Sequence, residues 1–471
     1  MKHLDTDILV IGAGSAGLSV TAGAVQMGAR VVLLEGNLMG GDCLNYGCVP
    51  SKALLASASA AHAQRNAAQY GIADAPGLAD YARVMEHVAG VIEGIAPIDS
   101  QERFEGLGAI VIREYGRFVS PDEVVAGDTT IKARRIVIAT GSSPLVPDIP
   151  GLGSVPFLTN ETLFDLREKP GHLLIVGGGP IGMEMAQAHV RLGCDVTVIA
   201  SGGVLANDDP EMAQVVRSQL EAEGVRIEEG RAAGVSGEAG KIAVTTDDGR
   251  RFSGTHLLIA TGRKLNTDRL DLEKAGIRTS GGRIEVDAGL RTSNRRVYAI
   301  GDAAGGMKFT HLAGYHGSVI IRSLLFALPA RASTAHIPWC TYTDPELAQV
   351  GLTEAQAREK FGDRLEVARF DYADNDRAAA ERRTTGSIKV MVARGRPVGA
   401  TIVGHEAGEQ ISLWALALAN RLKMSQVAGM VAPYPTYGEI NKRAAGAYFS
   451  PRLFDSPLVK RITGLVQRWV P

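Results

Sequence analysis

Cysteine is scarce in this chain: there are four, at positions 43, 48, 194 and 340 of 471. So few cannot staple a protein of this length, which excludes a secreted disulfide scaffold and favours the cytoplasm. Aromatics are also thin, at 5% against 56 glycines and 45% hydrophobic residues, a balance that fits an Ala/Gly/Val-rich α/β protein. Net charge is nearly absent. The 50 Lys+Arg and 51 Asp+Glu leave −1, which removes the electrostatic case for nucleic acid as a partner. No uninterrupted run of about 20 apolar residues occurs, so no spanning helix is expected. The apolar stretch from Ile8 to Val25 has Asp5 and Asp7 where a leader would be basic, and no signal peptide is expected. The length suggests about three domains at roughly 150 residues each.

What is present is one unit used twice. Residues 7–17 read DILVIGAGSAG and residues 172–182 read HLLIVGGGPIG. A shift of 165 superposes Gly12, Gly14 and Gly17 on Gly177, Gly179 and Gly182. The same shift places Gly28 on Gly193 and the strand at 31–35 on that at 196–200. Each copy predicts a βαβ unit. Its first glycine allows the tight turn, its second lets backbone approach a pyrophosphate, and its third lets helix pack on strand. The helix N-terminus then offers free N–H groups to the phosphates. Taken singly, either motif could be a mere β–α turn; the doubling points to two dinucleotide sites.

The copies differ at the end of the second strand. Glu35 can accept from a ribose hydroxyl, and this first site is expected to hold the adenine half of FAD. The matching residue of the second copy is Ala200, which would not repel a 2′-phosphate, so NADPH is favoured over NADH there. Two related segments, IVIATGSSP (136–144) and LLIATGRKL (257–265), each close an apolar strand with Thr-Gly, at Thr140-Gly141 and Thr261-Gly262. A third, VYAIGDAAG (297–305), ends in Gly301-Asp302. Its aspartate suits a sugar-like hydroxyl chain or, alternatively, a helix N-cap.

The chemistry lies in GGDCLNYGCVPSK (40–52). On one helix, Cys43 and Cys48 would sit about one and a half turns apart, within bridging reach if the turn is distorted. Two buried small residues, or a metal site, are the alternatives. No second Cys or His pair accompanies them, which argues against zinc, and no metal is expected. Immediately after a FAD-type strand, the segment reads better as a flavin-facing disulfide, with Lys52 able to favour a thiolate or a reduced flavin.

The whole chain resembles the class I pyridine nucleotide–disulfide oxidoreductases, the group of dihydrolipoyl dehydrogenase, glutathione reductase and mercuric reductase. The resemblance implies an α/β fold with two Rossmann-like dinucleotide-binding domains plus a C-terminal α+β dimerisation domain. FAD-binding parts would span 1–148 and 271–336, the NAD(P)-binding domain 149–270 and the dimerisation domain 337–471. It implies that Cys43 is the interchange thiol and Cys48 the thiol touching the flavin. Lys52 would pair with Glu184 beside the flavin, and Asp302 would bond the ribityl chain. A homodimer is implied, in which Tyr434 and Glu439 complete the partner's acceptor site.

One departure bears on the substrate. Disulfide-reducing members carry His-Pro-Thr-x-x-Glu near the C-terminus, the histidine acting as acid/base; here the element is Tyr434-Pro435-Thr436-Tyr437-Gly438-Glu439. A phenol titrates near 10 and an imidazole near 6.5, so Tyr434 is a poor proton shuttle at neutral pH. Fast lipoamide or glutathione disulfide reduction is therefore not expected. The tyrosine is similar to mercuric reductase, although that enzyme delivers metal from a C-terminal cysteine pair and no cysteine follows Cys340 here. The expected activity is electron transfer from NAD(P)H through FAD and the Cys43–Cys48 pair to a small thiol-reactive acceptor. The alternatives are a flavin-direct quinone reductase, a dihydrolipoyl dehydrogenase-like disulfide reductase and an oxidant sensor. Cys340 reads as a buried small hydrophobe or a third thiol, and Cys194 as packing. In the tail, Leu458, Ile462, Leu465, Val466 and Trp469 line one face of a predicted helix beside Lys460, Arg461 and Arg468. Docking on the protein's own dimer and peripheral membrane contact both stay open.

Overall fold

A computed structural model describes residues 2–73 and 79–470. The chain divides into two compact units. One takes the residues up to Gly177 with Ala188–Ile199 and Gly230–Ser333; the other takes Gly178–Gln187, Ala200–Glu229 and the chain from Thr334 onward.

The first unit is organised by β1 (Lys2–Ile11), α1 (Ser15–Gln26) and β2 (Val31–Leu34). Beyond them come α2 (Gly41–Asn45), α3 (Cys48–Arg65), β3 (Ile110–Ile112), β4 (Gly116–Phe118), β5 (Glu123–Ala126) and β6 (Thr129–Ile138). The sheet runs β3-β2-β1-β6-β5-β4, with Val297–Ala299 also on β6. The β1–β2, β1–β6 and β2–β3 pairings are parallel, whereas β4 and β5 return antiparallel. Side chains alternate across β1. Ile8 and Val10 join one core cluster with Leu18, Val20 and Ile320, while Leu9 and Ile11 join another with Phe118, Val124 and Ile131. Both faces are covered, which is why the strand reads as a continuous apolar run.

The second copy repeats the pattern in β7 (His172–Val176), α4 (Pro180–Arg191) and β8 (Asp195–Ala200), with β7 parallel to β8 and to His256–Ile259. Turn hydrogen bonds repeat almost to the tenth of an ångström. Gly12 N donates to Leu34 O at 2.8 Å and Gly177 N to Ile199 O at 2.9 Å. Ala139 N donates to Ile11 O, and Ala260 N to Val176 O, each at 2.8 Å.

In the second unit an antiparallel five-stranded sheet is formed by Pro338–Thr341, Glu346–Gly351, Leu365–Asp371, Ser387–Ala393 and Arg396–Gly404. Helices Ala407–Ala419 and Glu439–Phe454 supply much of its core around Trp414, whose indole donates to Asn441 Oδ1 at 2.7 Å. Lys389 is buried between Asp209 and Glu354, both at 2.8 Å, and Glu211 at 3.0 Å. Arg369 and Lys389 together hold Glu211 down to about 2. Among the described residues, no helix is long and apolar enough to cross a membrane.

Glu346 accepts from Gly408 N at 2.7 Å, yet burial pushes its carboxyl up to about 7. Between the ordinary value of 4.5 and about 7, the folded chain holds this proton and the unfolded chain does not. Stability therefore falls as pH rises through that window, and the deficit is complete above it. Glu346→Gln should shrink the Tm loss between about pH 5 and pH 8 by the equivalent of about 1–3 kcal/mol. An unchanged loss in thermal melts would count against a protonated Glu346.

Candidate functional site

The site is built around the first glycine turn. Gly12 leaves β1 at φ +106°, and a Cβ there would lie 2.5 Å from Ala139 O. Its counterpart Gly177, at φ +131°, would meet Ala260 O at 2.3 Å. Gly17 lies in α1, where a Cβ would be 1.9 Å from Gly12 O. Gly14 caps α1 with extended backbone and no side-chain bond, and the first turn carries no acidic residue, so the cap leaves the first-turn amides to a ligand or solvent. That is the donor set a pyrophosphate requires.

The carboxylate at the end of the second strand closes this cradle. Glu35 accepts from Ala13 N and Asn37 N, both at 2.7 Å. Thr140 Oγ1 is buried without a hydrogen-bond partner in the structure, and Gly141 follows it at φ +69°. Gly301, at φ +59°, donates its N–H to His316 Nδ1 at 3.2 Å; burial lowers the pKa of His316. Asp302 sits in the adjoining turn, where burial raises its pKa against the pull of Ser142 and Arg263. Ser142 donates to Asp302 Oδ2 at 2.5 Å and accepts from Arg263 Nε at 2.7 Å. A backbone cradle, an orphaned hydroxyl and a half-buried carboxyl on one sheet end fit FAD.

The cysteines are joined to the cradle by backbone. Gly40 N donates to Ala13 O at 2.9 Å, and a Cβ on Gly41 would come within 2.8 Å of Gly14 Cα. Cys43 lies within α2 and Cys48 opens α3, with Tyr46 and Gly47 breaking the helix between them. The single helix expected from their spacing is thus two. Gly47 adopts φ −122° and ψ −111°, a break that five-residue spacing alone does not reveal. The Cys43 thiol is hydrogen-bonded to Cys48, and that bond together with burial pushes its pKa far above the ordinary thiol range. Cys48 Sγ lies 3.5 Å from Thr310 Oγ1. Asp42, next to Cys43, is held by Arg263 Nη2 at 3.1 Å and by Asn160 Nδ2 at 3.0 Å. Asn160 also donates to Tyr46 O at 3.1 Å. Lys52 follows one turn along α3, its Nζ 3.4 Å from Ser51 Oγ.

The remaining expected residues are placed as follows. Gly179 and Gly182 lie at the start of α4, Gly262 has φ +142°, and Ala200 ends β8 fully buried. Glu184, on α4, accepts from Tyr342 N at 3.0 Å and belongs to the second unit, whereas Lys52 belongs to the first. Tyr434, 68% exposed, donates to Asp376 Oδ2 at 2.6 Å, and this bond raises its pKa. Glu439 opens its helix and pairs with Arg443 at 2.8 Å. Cys340 is half-buried against the C-terminal core. Cys194 is buried, which lifts its thiol to about 11 and suits packing. Asn160, Thr310 and His316 were not legible in sequence; Ser142 and Arg263 carried a signal, each directly following the Thr-Gly of its strand.

The family model described as pyridine nucleotide-disulphide oxidoreductase matches residues 6–317, and the dimerisation domain of that family matches 337–445. The latter indicates a homodimer. A mercuric reductase of Lysinibacillus sphaericus is 33% identical over 448 residues, 93% of this chain and 82% of the relative. A dihydrolipoyl dehydrogenase of Geobacillus stearothermophilus is 32% identical over 94% of this chain and 96% of its own. The HOCl-induced flavoprotein disulfide reductase RclA from Escherichia coli, solved as a Cu(II) complex, shares 26% identity with a TM-score of 0.85. That match covers 94% of this chain and 99% of RclA.

Because a Cβ at Gly17 would drive into the Gly12 carbonyl, Gly17→Ala should purify with less than about a tenth of the wild-type FAD content. Flavin absorbance per protein, with circular dichroism as a folding control, checks this. Full flavin occupancy would contradict the assignment.

Proposed function

The chain belongs to the pyridine nucleotide–disulphide oxidoreductase family, and from that premise we propose that it reduces a soft, thiol-seeking metal ion held by Cys43 and Cys48. FAD, when bound, takes the hydride of NAD(P)H and makes its electron pair available at the cysteines. Gly12, Gly14, Gly17, Glu35, Thr140, Gly141, Gly301 and Asp302 would hold it. Gly177, Gly179, Gly182 and Gly262 would hold the nicotinamide cofactor, with Ala200 supporting NADPH. The FAD-binding parts are 1–148 and 271–336, the NAD(P)-binding domain 149–270 and the dimerisation domain 337–471.

Tyr434 carries the reading. A disulfide substrate needs a proton delivered to its leaving thiol, and a phenol with raised pKa bonded to Asp376 is a weak shuttle. A metal ion asks for the opposite. Cys43 and Cys48 lose their protons to solvent as they ligate it, softness matching softness. The ion is then reduced and leaves both sulfurs. Overall, one hydride equivalent from NAD(P)H supplies two electrons, enough for one Hg(II) to Hg(0) or two Cu(II) to two Cu(I), and releases one proton. Lys52 and Glu184 would set the charge around the flavin, and the partner subunit's Tyr434 and Glu439 would line the acceptor side.

The test is NADPH oxidation by wild type, Cys43→Ser and Tyr434→His with thiol-complexed Hg(II), Cu(II), lipoamide, glutathione disulfide and a small quinone. Turnover of a metal ion, lost at least about a hundredfold in Cys43→Ser, is expected. Tyr434→His should raise lipoamide reduction at least about tenfold. Turnover of the quinone alone, at full rate in Cys43→Ser, would sink the proposal and mark a flavin-direct quinone reductase.

A further inference from the structure

The chain closes with a helix, Pro457–Trp469, that buries none of its residues. Its start is locally specified: Ser456 caps Val459 N at 3.4 Å, and Pro457 occupies the first turn. At about 100° per residue, Leu458, Ile462, Leu465, Val466 and Trp469 fall within an arc of about 100°. Their exposure runs from 44% at Val466 to 81% at Trp469. Leu453 and Phe454, at the end of the preceding helix, are also exposed, at 51% and 68%. That preceding helix buries Ile440, Ala444, Ala445 and Tyr448, so the contrast is between neighbours in one unit.

The charge on this segment is one-sided. Arg452 is ion-paired to Glu366, and beyond it, between 453 and 470, stand Lys460, Arg461 and Arg468 against Asp455, a net +2 in a chain whose formal charge is −1. Arg461 and Arg468 both lie along one edge of the apolar stripe and Lys460 lies opposite it. The segment also lies beyond residue 445, where the match to the family's dimerisation domain ends. With 13 residues it is about 20 Å long, too short for a hydrocarbon core of about 30 Å. An apolar stripe edged with cations on so short a helix is complementary to an anionic lipid surface on which it lies flat.

We propose that the helix Pro457–Trp469 docks this enzyme peripherally on anionic lipid, its apolar stripe at the acyl boundary, Arg461 and Arg468 at the headgroups and Lys460 on the outward face. The docking does not depend on which acceptor the enzyme reduces.

The FAD-loaded, full-length protein should be sedimented with vesicles of phosphatidylcholine containing about a third phosphatidylglycerol, and with phosphatidylcholine alone. Binding to the anionic vesicles is expected, with emission of Trp469 moving to the blue and the shift absent in Trp469→Phe. Raised salt, Ile462→Glu with Leu465→Glu, and Arg461→Glu with Arg468→Glu should each weaken binding at least about tenfold. NADPH oxidation with a soluble acceptor should be unchanged in every variant, showing that each is folded. The proposal is overturned by no sedimentation at low salt, or by equal binding to both vesicle types. It is also overturned if Ile462→Glu with Leu465→Glu alters the dimer in gel filtration while leaving vesicle binding intact.

Discussion

Two backbone carbonyls, those of Ala139 and Ala260, approach Gly12 and Gly177 so closely that no side chain can stand at either position. That approach turns β1 into α1 and β7 into α4 at the sheet's end, and so aims each helix's unsatisfied amides at a ligand. The redox segment is placed by the same device. Gly41 lies against Gly14 because it lacks a side chain, and the Gly40–Ala13 hydrogen bond fixes the contact. Cys43 and Cys48 are thus registered to the first glycine turn through main chain, which has less conformational freedom than a side-chain contact would.

Much of this was written in local sequence. The doubled glycine pattern, the apolar strands, Glu35 and the Thr-Gly and Gly-Asp strand ends announce themselves because each depends on neighbours in the chain. The structure adds what depends on distant residues. Arg263 and Asn160 restrain Asp42 from 221 and 118 residues away, and Thr310 reaches Cys48 across 262. No periodicity encodes such meetings; they follow from the order in which strands enter the sheet. The two-helix arrangement of the cysteines was obscured for a different reason: Cys43 to Cys48 looks helical by spacing, and the break rests on the backbone of Gly47.

Electrostatics around the thiols and around Tyr434 point the same way. The Cys43 proton is retained by its neighbour and by burial, and the phenol of Tyr434 is bonded to a carboxylate that discourages its ionisation. Each group therefore holds its proton more tightly than a free thiol or phenol would.

The cluster at Lys389 bears on where this protein can be cut. Asp209 and Glu211 lie in a stretch that follows the second glycine motif, yet their cation comes from a strand some 180 residues later. A fragment ending before the five-stranded sheet would keep these two carboxylates and lose the ammonium between them. Modularity here is spatial and not linear: the C-terminal unit cannot be deleted or exchanged as a contiguous cassette without also replacing the loop and helix between 200 and 229. Chimeras with relatives would need two crossover points on either side of that stretch, a constraint on how new acceptor specificities can be grafted onto this scaffold.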